Sequence, residues 1–311
     1  MTRQDSTPLV SVVTPLYNSA AHIGGVLERL RAQTFADWEA VLVDDGSTDD
    51  TQDRVEPFLE DARFRYLSQR NQGTPAARNT AIRQARGEWV ALLDHDDLWM
   101  ETKLERQLDL ADRSGCEIVC TNAFVVTPTS RRLYSDYFPD ELRTAVERWD
   151  EPETDLFAQL IRMNFICSSS ALVQRSLIVE RGFLDPNAWP ADDYDLWLRC
   201  LPDARVAYLP EPVIEYMWHE SNASLDSVTM REAAIYVLRK ARQRCSDDRL
   251  RVEQFDSSLT IHNAVLFQEL IRERRLASVA LKAAQIAAEG RRGPRLLARA
   301  WRMRNEVRAG F

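Results

Sequence analysis

The sequence predicts an α/β protein: a mainly parallel sheet with helices on both faces, plus a helical C-terminal extension. Three observations carry this expectation. Strand-like and helix-like apolar patterns alternate through the first 120 residues, and that βαβα order implies parallel strands covered on both sides. Polar or acidic groups follow four successive strand patterns, which gathers them at the edge where open α/β sheets bind ligands. Beyond about residue 225 the composition shifts and the pattern turns helical, so the chain divides into residues 1–225 and 226–311.

The elements read in order as follows. Leu9-Val10-Ser11-Val12-Val13 is a first strand, and Ile23, Val26, Leu27 and Leu30 recur at helical spacing after it. Trp38 to Val43 is a second strand, ending in Asp44-Asp45-Gly46-Ser47. A helix follows, with Ser47 or Thr48 as its N-cap and Val55, Phe58 and Leu59 toward the core. Phe64 to Leu67 is a short third strand. Thr74-Pro75 then opens a helix, with Thr74 as N-cap and Pro75 at the first helical position. Trp89 to Leu93 is a fourth strand, and its helix buries Leu104, Leu108 and Ala111. Glu117-Ile118-Val119-Cys120 is a fifth. Residues 121–150 form a hairpin and a loop broken by Pro128 and Pro139. A second α/β stretch has a helix near 154–162, a strand at Ser170–Val173, a helix near 192–201, and short strands near 205–208 and 213–218. Ile261, Val265, Leu266 and Leu270 then recur at helical spacing, as do Val279, Ala283, Ile286 and Ala287.

Composition narrows the function classes. A chain of 311 residues with 45% apolar and 28% charged residues is an ordinary globular protein. Its net charge of −8 argues against nucleic acid as a partner. No apolar run approaches the roughly 18 residues of a membrane span. Met1-Thr2-Arg3-Gln4-Asp5 lacks the basic-then-apolar order of a signal peptide. Five scattered cysteines without a CxxC pair read as reduced thiols, so the expected location is the cytoplasm.

The densest chemistry is Asp94-His95-Asp96-Asp97. Three carboxylates in four positions repel one another unless a cation or a partner neutralises them. Hard oxygen ligands suit Mg²⁺ or Mn²⁺, ions commonly held by one or two carboxylates plus substrate phosphates. The bland alternative is a solvated turn with Asp97 as an N-cap. At the first strand's end, Tyr17 could stack on a base, or Pro15-Leu16-Tyr17-Asn18 could be turn chemistry alone. Asp44-Asp45 could grip a ribose or base, or cap the next helix. After the third strand, Gly73 allows close backbone approach, and the helix opening at Thr74 offers free amides beside Arg78. Asp192 and Asp193 begin a helix, as caps or as a general base. His219 follows Glu215-Tyr216-Met217-Trp218, as a structural residue or as part of a metal shell.

Taken together, these pieces resemble glycosyltransferase family 2, inverting nucleotide-sugar transferases of the Rossmann-like GT-A fold. The resemblance spans about residues 8–222. It is carried by Val10 to Asn18, Gln33-Thr34-Phe35, Val43 to Ser47, Asn71-Gln72-Gly73 with Ala77-Arg78-Asn79, Leu93 to Asp97, Asp192-Asp193, and Tyr216 to His219. It implies a nucleotide-sugar site containing Pro15, Tyr17, Asp45, Arg78, Asp94 and Asp96. Tyr17 and Asp45 would meet the nucleoside, and Arg78 the base or diphosphate. Asp94 and Asp96 would form the Asp-x-Asp pair. Asp96, Asp94 and His219 would hold a divalent cation, Mn²⁺ or Mg²⁺. Asp193 would be the catalytic base of a single in-line displacement. The implied donor is a nucleotide-diphosphate sugar, a UDP-sugar first among them, and the acceptor a glycan or lipid-linked glycan in surface polysaccharide or glycoconjugate assembly.

Two departures stand out. Asp192-Asp193 replaces the Glu-Asp of many relatives, which leaves open which carboxylate acts. The Gln-x-x-Arg-Trp motif of processive synthases is absent, which implies addition of a single sugar. Outside the resemblance, residues 291–308 hold seven arginines against Glu306, so 7 − 1 gives +6, around a stripe of Leu296, Leu297, Ala300 and Trp301. That helix could lie on the inner membrane surface as a peripheral contact, or pack on the body or on a second subunit of a homodimer. Two competing readings are a non-catalytic nucleotide-binding scaffold and a sugar-phosphate nucleotidyltransferase. The latter wants a Gly-rich basic loop that Pro15 to Ser19 does not supply.

Overall fold

The computed structural model describes residues 7–219, 222–223, 226–273 and 278. The chain forms two compact units that divide between His219 and Glu220. In the first unit, β1 (Val10–Leu16), α1 (Ile23–Arg31), β2 (Trp38–Asp44), α2 (Thr51–Val55), β3 (Phe64–Ser68), α3 (Thr74–Gln84) and β4 (Trp89–Leu92) follow in the expected alternation. Every residue of β1, β2 and β4 is buried, as continuous apolar runs in a covered parallel sheet require.

The strand order explains where a ligand can sit. β1 pairs in parallel with β2 and β4, and β2 pairs in parallel with β3. The chain steps outward through β1, β2 and β3, then returns to place β4 on the far side of β1. A crevice opens where the order reverses, at the C-terminal ends of the strands. Gly87 lets the return pass close by: a Cβ there would stand 2.6 Å from the Ser11 amide. At the opposite edge Glu39 is buried and accepts from Ser11 Oγ at 2.8 Å, the Arg86 amide at 2.7 Å and Arg65 Nη1 at 3.1 Å.

The second half of the sheet mixes directions. It adds β5 (Leu98–Trp99), α4 (Lys103–Ser114), β6 (Ile118–Val126), β7 (Arg131–Leu133), α5 (Asp140–Glu147), α6 (Leu156–Arg162), β8 (Leu172–Gln174), α7 (Arg175–Glu180), α8 (Asp192–Cys200) and β9 (Val206–Met217). The full order is β3-β2-β1-β4-β8-β6-β9-β5, with β7 on β6. β8 runs antiparallel to both β4 and β6, while β9 is parallel to β6.

Several boundaries differ from the sequence reading, each for a local reason. The two short strands near 205–208 and 213–218 are one strand, β9, whose pairing with β6 shifts register around Pro210 and Pro212. Proline cannot donate to a ladder, and a bulge lets the strand continue past it. β5 is only two residues long, too short for a period to show. The cap of α2 is Asp50, because Ser47 and Thr48 are engaged elsewhere: Ser47 Oγ accepts from the Asn18 amide, and the Thr48 amide donates to Asn18 Oδ1. α3 begins at Thr74 with Gly73 as its cap, at φ +88°, a value side chains rarely adopt.

The second unit contains α9 (Ser227–Arg244) and α10 (Arg249–Arg272). Val228 and Ile235 pack with Leu266 and Leu270, and Arg242 pairs with Asp256, so the two helices run antiparallel. Asp226 and Asp248 cap them by accepting from the Thr229 and Arg251 amides. No described helix is long and apolar enough to cross a membrane. The stretches around Val279 to Ala287 and 291–308 lie outside the described residues.

Candidate active site

The site is built from the four parallel strand ends and from three segments that converge on them. Beyond β1, Tyr17 is exposed at the rim. Asn18 takes a positive φ of 49° and ties this loop to residues 47 and 48. Ser19 is buried, and its amide donates to Thr51 Oγ1 at 2.7 Å. Pro15 lies within β1, buried and in register with Val43.

Beyond β2, the Asp45 carboxylate turns inward. It accepts from Gln69 Nε2 at 2.7 Å, from the Gln72 amide at 2.9 Å and from the Gly73 amide at 2.7 Å. Asp45 therefore fixes the loop that opens α3, and its own exposure is only 2%. Asp44 accepts from the Ser47 amide and from the Tyr66 hydroxyl. Burial, with that bond to Asp44, pushes the Tyr66 phenol well up.

One turn into α3, Arg78 is buried and bridges two acids. Its Nη1 donates to Asp192 Oδ2 at 2.7 Å, and its Nη2 to Asp94 Oδ1. The two carboxylates raise the Arg78 pKa despite burial, so the side chain stays cationic. Its neighbour Asn79 grips the segment before α8: Nδ2 donates to the Leu184 carbonyl at 2.8 Å, and Oδ1 accepts from the Leu184 amide at 2.9 Å. The start of α8 is thus fastened to α3 at two adjacent residues.

At that helix start the two acids differ in environment. Asp192 is 1% exposed and spent on Arg78; burial nevertheless holds its pKa above the usual range, with Arg78 opposing the rise. Asp193 is partly exposed, and among the described residues its Oδ1 accepts only from the Tyr194 amide next in sequence. Burial first, and then the Asp192 charge, push its carboxyl up to about 7, against the pull of Arg78.

The segment after β4 supplies the remaining acids. The Asp94 amide donates to Ser169 Oγ at 3.0 Å, which fixes the turn against the residues before β8. Asp96 Oδ2 lies 3.0 Å from His219 Nε2, and His95 Nε2 is 4.0 Å from the same oxygen. His219 arrives because β9 is stitched down on both sides. The Trp218 amide donates to the Val126 carbonyl, and the Met217 amide to Asp97 Oδ1 at 3.1 Å. Asp97 is wholly buried; burial, then Asp96 and Asp94, hold its pKa well above the usual carboxylate range.

The Asp96 carboxylate oxygen suits Mg²⁺ or Mn²⁺, and an imidazole nitrogen beside it is a ligand type that first-row transition metals accept. Among the described residues no group of three or more His, Cys, Asp or Glu side chains forms a ready cage. The structure therefore brings Arg78, Asp94 and Asp192 into one cluster, Asp96 and His219 into another, and sets Asp193 beside the first. Tyr17 stays at the rim, and Pro15 and Asp45 are committed to the scaffold. Ser169, which holds the Asp94 amide, and His22, whose ring stacks on that of His219, joined the site without a sequence signal, while Asp97 belongs to the acidic run but is buried beneath it.

The sequence model described as "Glycosyl transferase family 2" matches residues 11–182, more than half of the chain. The chain belongs to that family. Two curated relatives illustrate its neighbourhood. The transferase is 28% identical over 228 residues to the Escherichia coli UDP-Glc:alpha-D-GlcNAc-diphosphoundecaprenol beta-1,3-glucosyltransferase WfgD, covering 72% of this chain and 82% of that one. It is 30% identical over 218 residues to the putative teichuronic acid biosynthesis glycosyltransferase TuaG of Bacillus subtilis, covering 67% and 79%.

Solved structures confirm the fold. S. aureus TarS in complex with UDP-GlcNAc superposes with a TM-score of 0.61 at 19% identity, covering 84% of the transferase and 71% of that chain. The mannosyltransferase PcManGT from Pyrobaculum calidifontis, in complex with GDP-Man and Mn²⁺, gives 0.61 at 21% identity, covering 96% and 81%. The GT-A expectation and the glycosyltransferase activity both hold. The parallel half of the sheet carries the strand-end groups, and the mixed half delivers His219 and supports Asp94.

Proposed function

We propose that the transferase moves a single sugar, with inversion, from a nucleotide-diphosphate sugar to an acceptor hydroxyl, with a divalent cation at Asp96 and His219. The observation that carries this reading is the division of labour within Asp192-Asp193. Arg78 consumes Asp192, which leaves Asp193 partly exposed, with a pKa of about 7, next to the Asp94 cluster. A base poised near neutral pH is suited to take a proton from a hydroxyl as that oxygen attacks.

The step balances in a simple way. The acceptor oxygen forms a bond to the anomeric carbon while Asp193 takes its proton. The bond from that carbon to the diphosphate oxygen breaks on the opposite face, and the leaving nucleotide keeps the electron pair. A bound cation would neutralise the charge that develops on the departing diphosphate. Asp96 and His219 would hold it, while Arg78 keeps Asp94 and α8 at fixed separation. Asp45 sets the loop at the start of α3, and Tyr17 offers its ring to the base at the rim.

The relatives give the proposal its donor and pathway class. WfgD carries UDP-Glc and GlcNAc-diphosphoundecaprenol in its name, and TuaG teichuronic acid biosynthesis, so a UDP-sugar donor and a lipid-linked glycan acceptor in surface polysaccharide assembly are the first combination to test. The test incubates UDP-, GDP-, dTDP- and ADP-sugars with Mn²⁺ and a panel of glycosyl diphospholipid acceptors. Acceptor-dependent release of one nucleotide diphosphate and an inverted product anomer support the proposal. A retained anomeric configuration counts against it.

A further inference from the structure

His22 stands at the N-cap of α1, yet among the described residues its imidazole makes no side-chain hydrogen bond to the helix it precedes. Its ring lies parallel to the ring of His219, with centroids 4.8 Å apart and planes inclined by 11°. His219 is the imidazole whose Nε2 sits 3.0 Å from Asp96 Oδ2. The two histidines come from opposite ends of the unit, one from the loop after β1 and the other from the end of β9.

We infer that His22 is a positioning residue for His219: by stacking, it holds the imidazole in the plane that aims Nε2 at the cation and at Asp96. The inference rests on the reading of Asp96 and His219 as the cation site. An imidazole has two torsions to settle, and a metal-binding ring whose plane can swing binds weakly; groups that orient such rings matter nearly as much as the ligands. Parallel aromatic rings at this spacing are in attractive contact. The backbone beneath His22 is fixed. Its amide donates to the Ser19 carbonyl at 3.0 Å, and buried Ser19 is held in turn by Thr51. The stack therefore ties the metal ligand to the β1 loop, which also carries Tyr17. Ordering of that loop by a nucleotide would be felt at the cation, and the reverse.

The test uses the full chain and two variants, His22→Ala and His22→Phe. Phenylalanine keeps a stacking ring and can neither ligate a metal nor titrate. Two readouts are taken. Proton NMR of the metal-free protein follows the His219 ring resonances, which the His22 ring current displaces upfield. Calorimetry follows Mn²⁺ binding in the presence of UDP. H22A should return the His219 resonances to unstacked positions and weaken Mn²⁺ roughly tenfold, the scale of lost ligand orientation. H22F should keep both near wild type, and UDP binding without metal should not change in either. Equal loss in H22A and H22F would make His22 a ligand rather than a positioning residue and overturn the inference. Unchanged His219 resonances in H22A would overturn it as well. A wild type that takes up no Mn²⁺ with UDP would refute the cation site itself, while the metal-free resonances would still report separately whether the stack exists.

Discussion

Arg78 Nη1 donates to Asp192 Oδ2 at 2.7 Å and so joins α3 to α8 across 114 residues of chain. The other end of the same guanidinium holds Asp94. One buried cation thus sets the distance between the turn after β4 and the helix that presents Asp193.

Removing that cation should cost the fold as well as the activity. Arg78→Ala leaves Asp192 buried and unpaired, and breaking a buried ion pair from one side costs about 3–5 kcal/mol. Arg78→Lys keeps the charge but cannot span both acids with one planar fork. Denaturant unfolding should rank wild type above R78K and R78K above R78A, with transfer rates in the same order. An R78A protein as stable as wild type would show that the bridge carries no weight.

The two adjacent acids should separate cleanly. Asp193→Asn is nearly isosteric at a partly exposed position, so its melting temperature and nucleotide binding should stay close to wild type. Its transfer rate should fall about 10²–10⁴-fold, the usual contribution of a general base. Asp192→Asn should instead lower stability, because it removes the charge opposite Arg78. The reverse pattern would assign the base to Asp192.

The pH profile follows from the elevated carboxyl. As the proposed base, Asp193 must be ionised to accept a proton, and burial pushes its carboxyl up to about 7. The rate should rise with pH through the neutral range and level off above it. Stability takes the opposite sign. Between about 4 and 7 the folded state keeps a proton on Asp193 that the unfolded state releases, so this group's contribution to stability falls as pH rises through that window. The stability slope should flatten in Asp193→Asn. A rate with no rising limb near neutrality would contradict the assignment.

Glu39 offers a control far from the chemistry. Burial raises its pKa, but bonds from Arg86, Ser11 and Arg65 outweigh that and leave it lowered. Its contribution is therefore complete above the ordinary glutamate range and is lost as pH falls through the lowered value. Glu39→Gln should reduce stability at neutral pH by about 1–3 kcal/mol, since Ser11 and the Arg86 amide lose a charged acceptor. The turnover of the folded fraction should not change. A large fall in turnover at full stability would show that this end of the sheet communicates with the site.

Much of this arrangement was legible in the order of residues. Continuous apolar runs mark β1, β2 and β4, and their parallel pairing follows from the helices between them. The clustering of Tyr17, Asp45, Arg78 and Asp94 at one edge follows in turn. Partnerships across the chain were not legible. Asp45 reads as a group free to grip a nucleoside, yet its oxygens are filled by the loop at 69–73, more than twenty residues later. Arg78 reads as a phosphate ligand, and nothing local indicates that Asp192 will claim it. His22 reads as an unremarkable position before a helix, because its stacking partner lies at the far end of the unit. β9 reads as two strands because Pro210 and Pro212 break a strand pattern that the bulge opposite β6 repairs.

Asp96 and its neighbours are proposed as a cation-assisted nucleotide site. The direct measurement is thermal unfolding of the full chain with UDP, GDP, dTDP and ADP, each with and without Mn²⁺, repeated on Asp96→Ala. Ligand that binds only the folded state at about a hundred times its dissociation constant adds about 2.7 kcal/mol, an upward shift that is easily seen. One diphosphate should raise the melting temperature selectively, Mn²⁺ should enlarge the shift, and Asp96→Ala should abolish the metal-dependent part. No shift with any diphosphate at saturating concentration, or a shift that Mn²⁺ and Asp96→Ala leave untouched, would contradict the proposal.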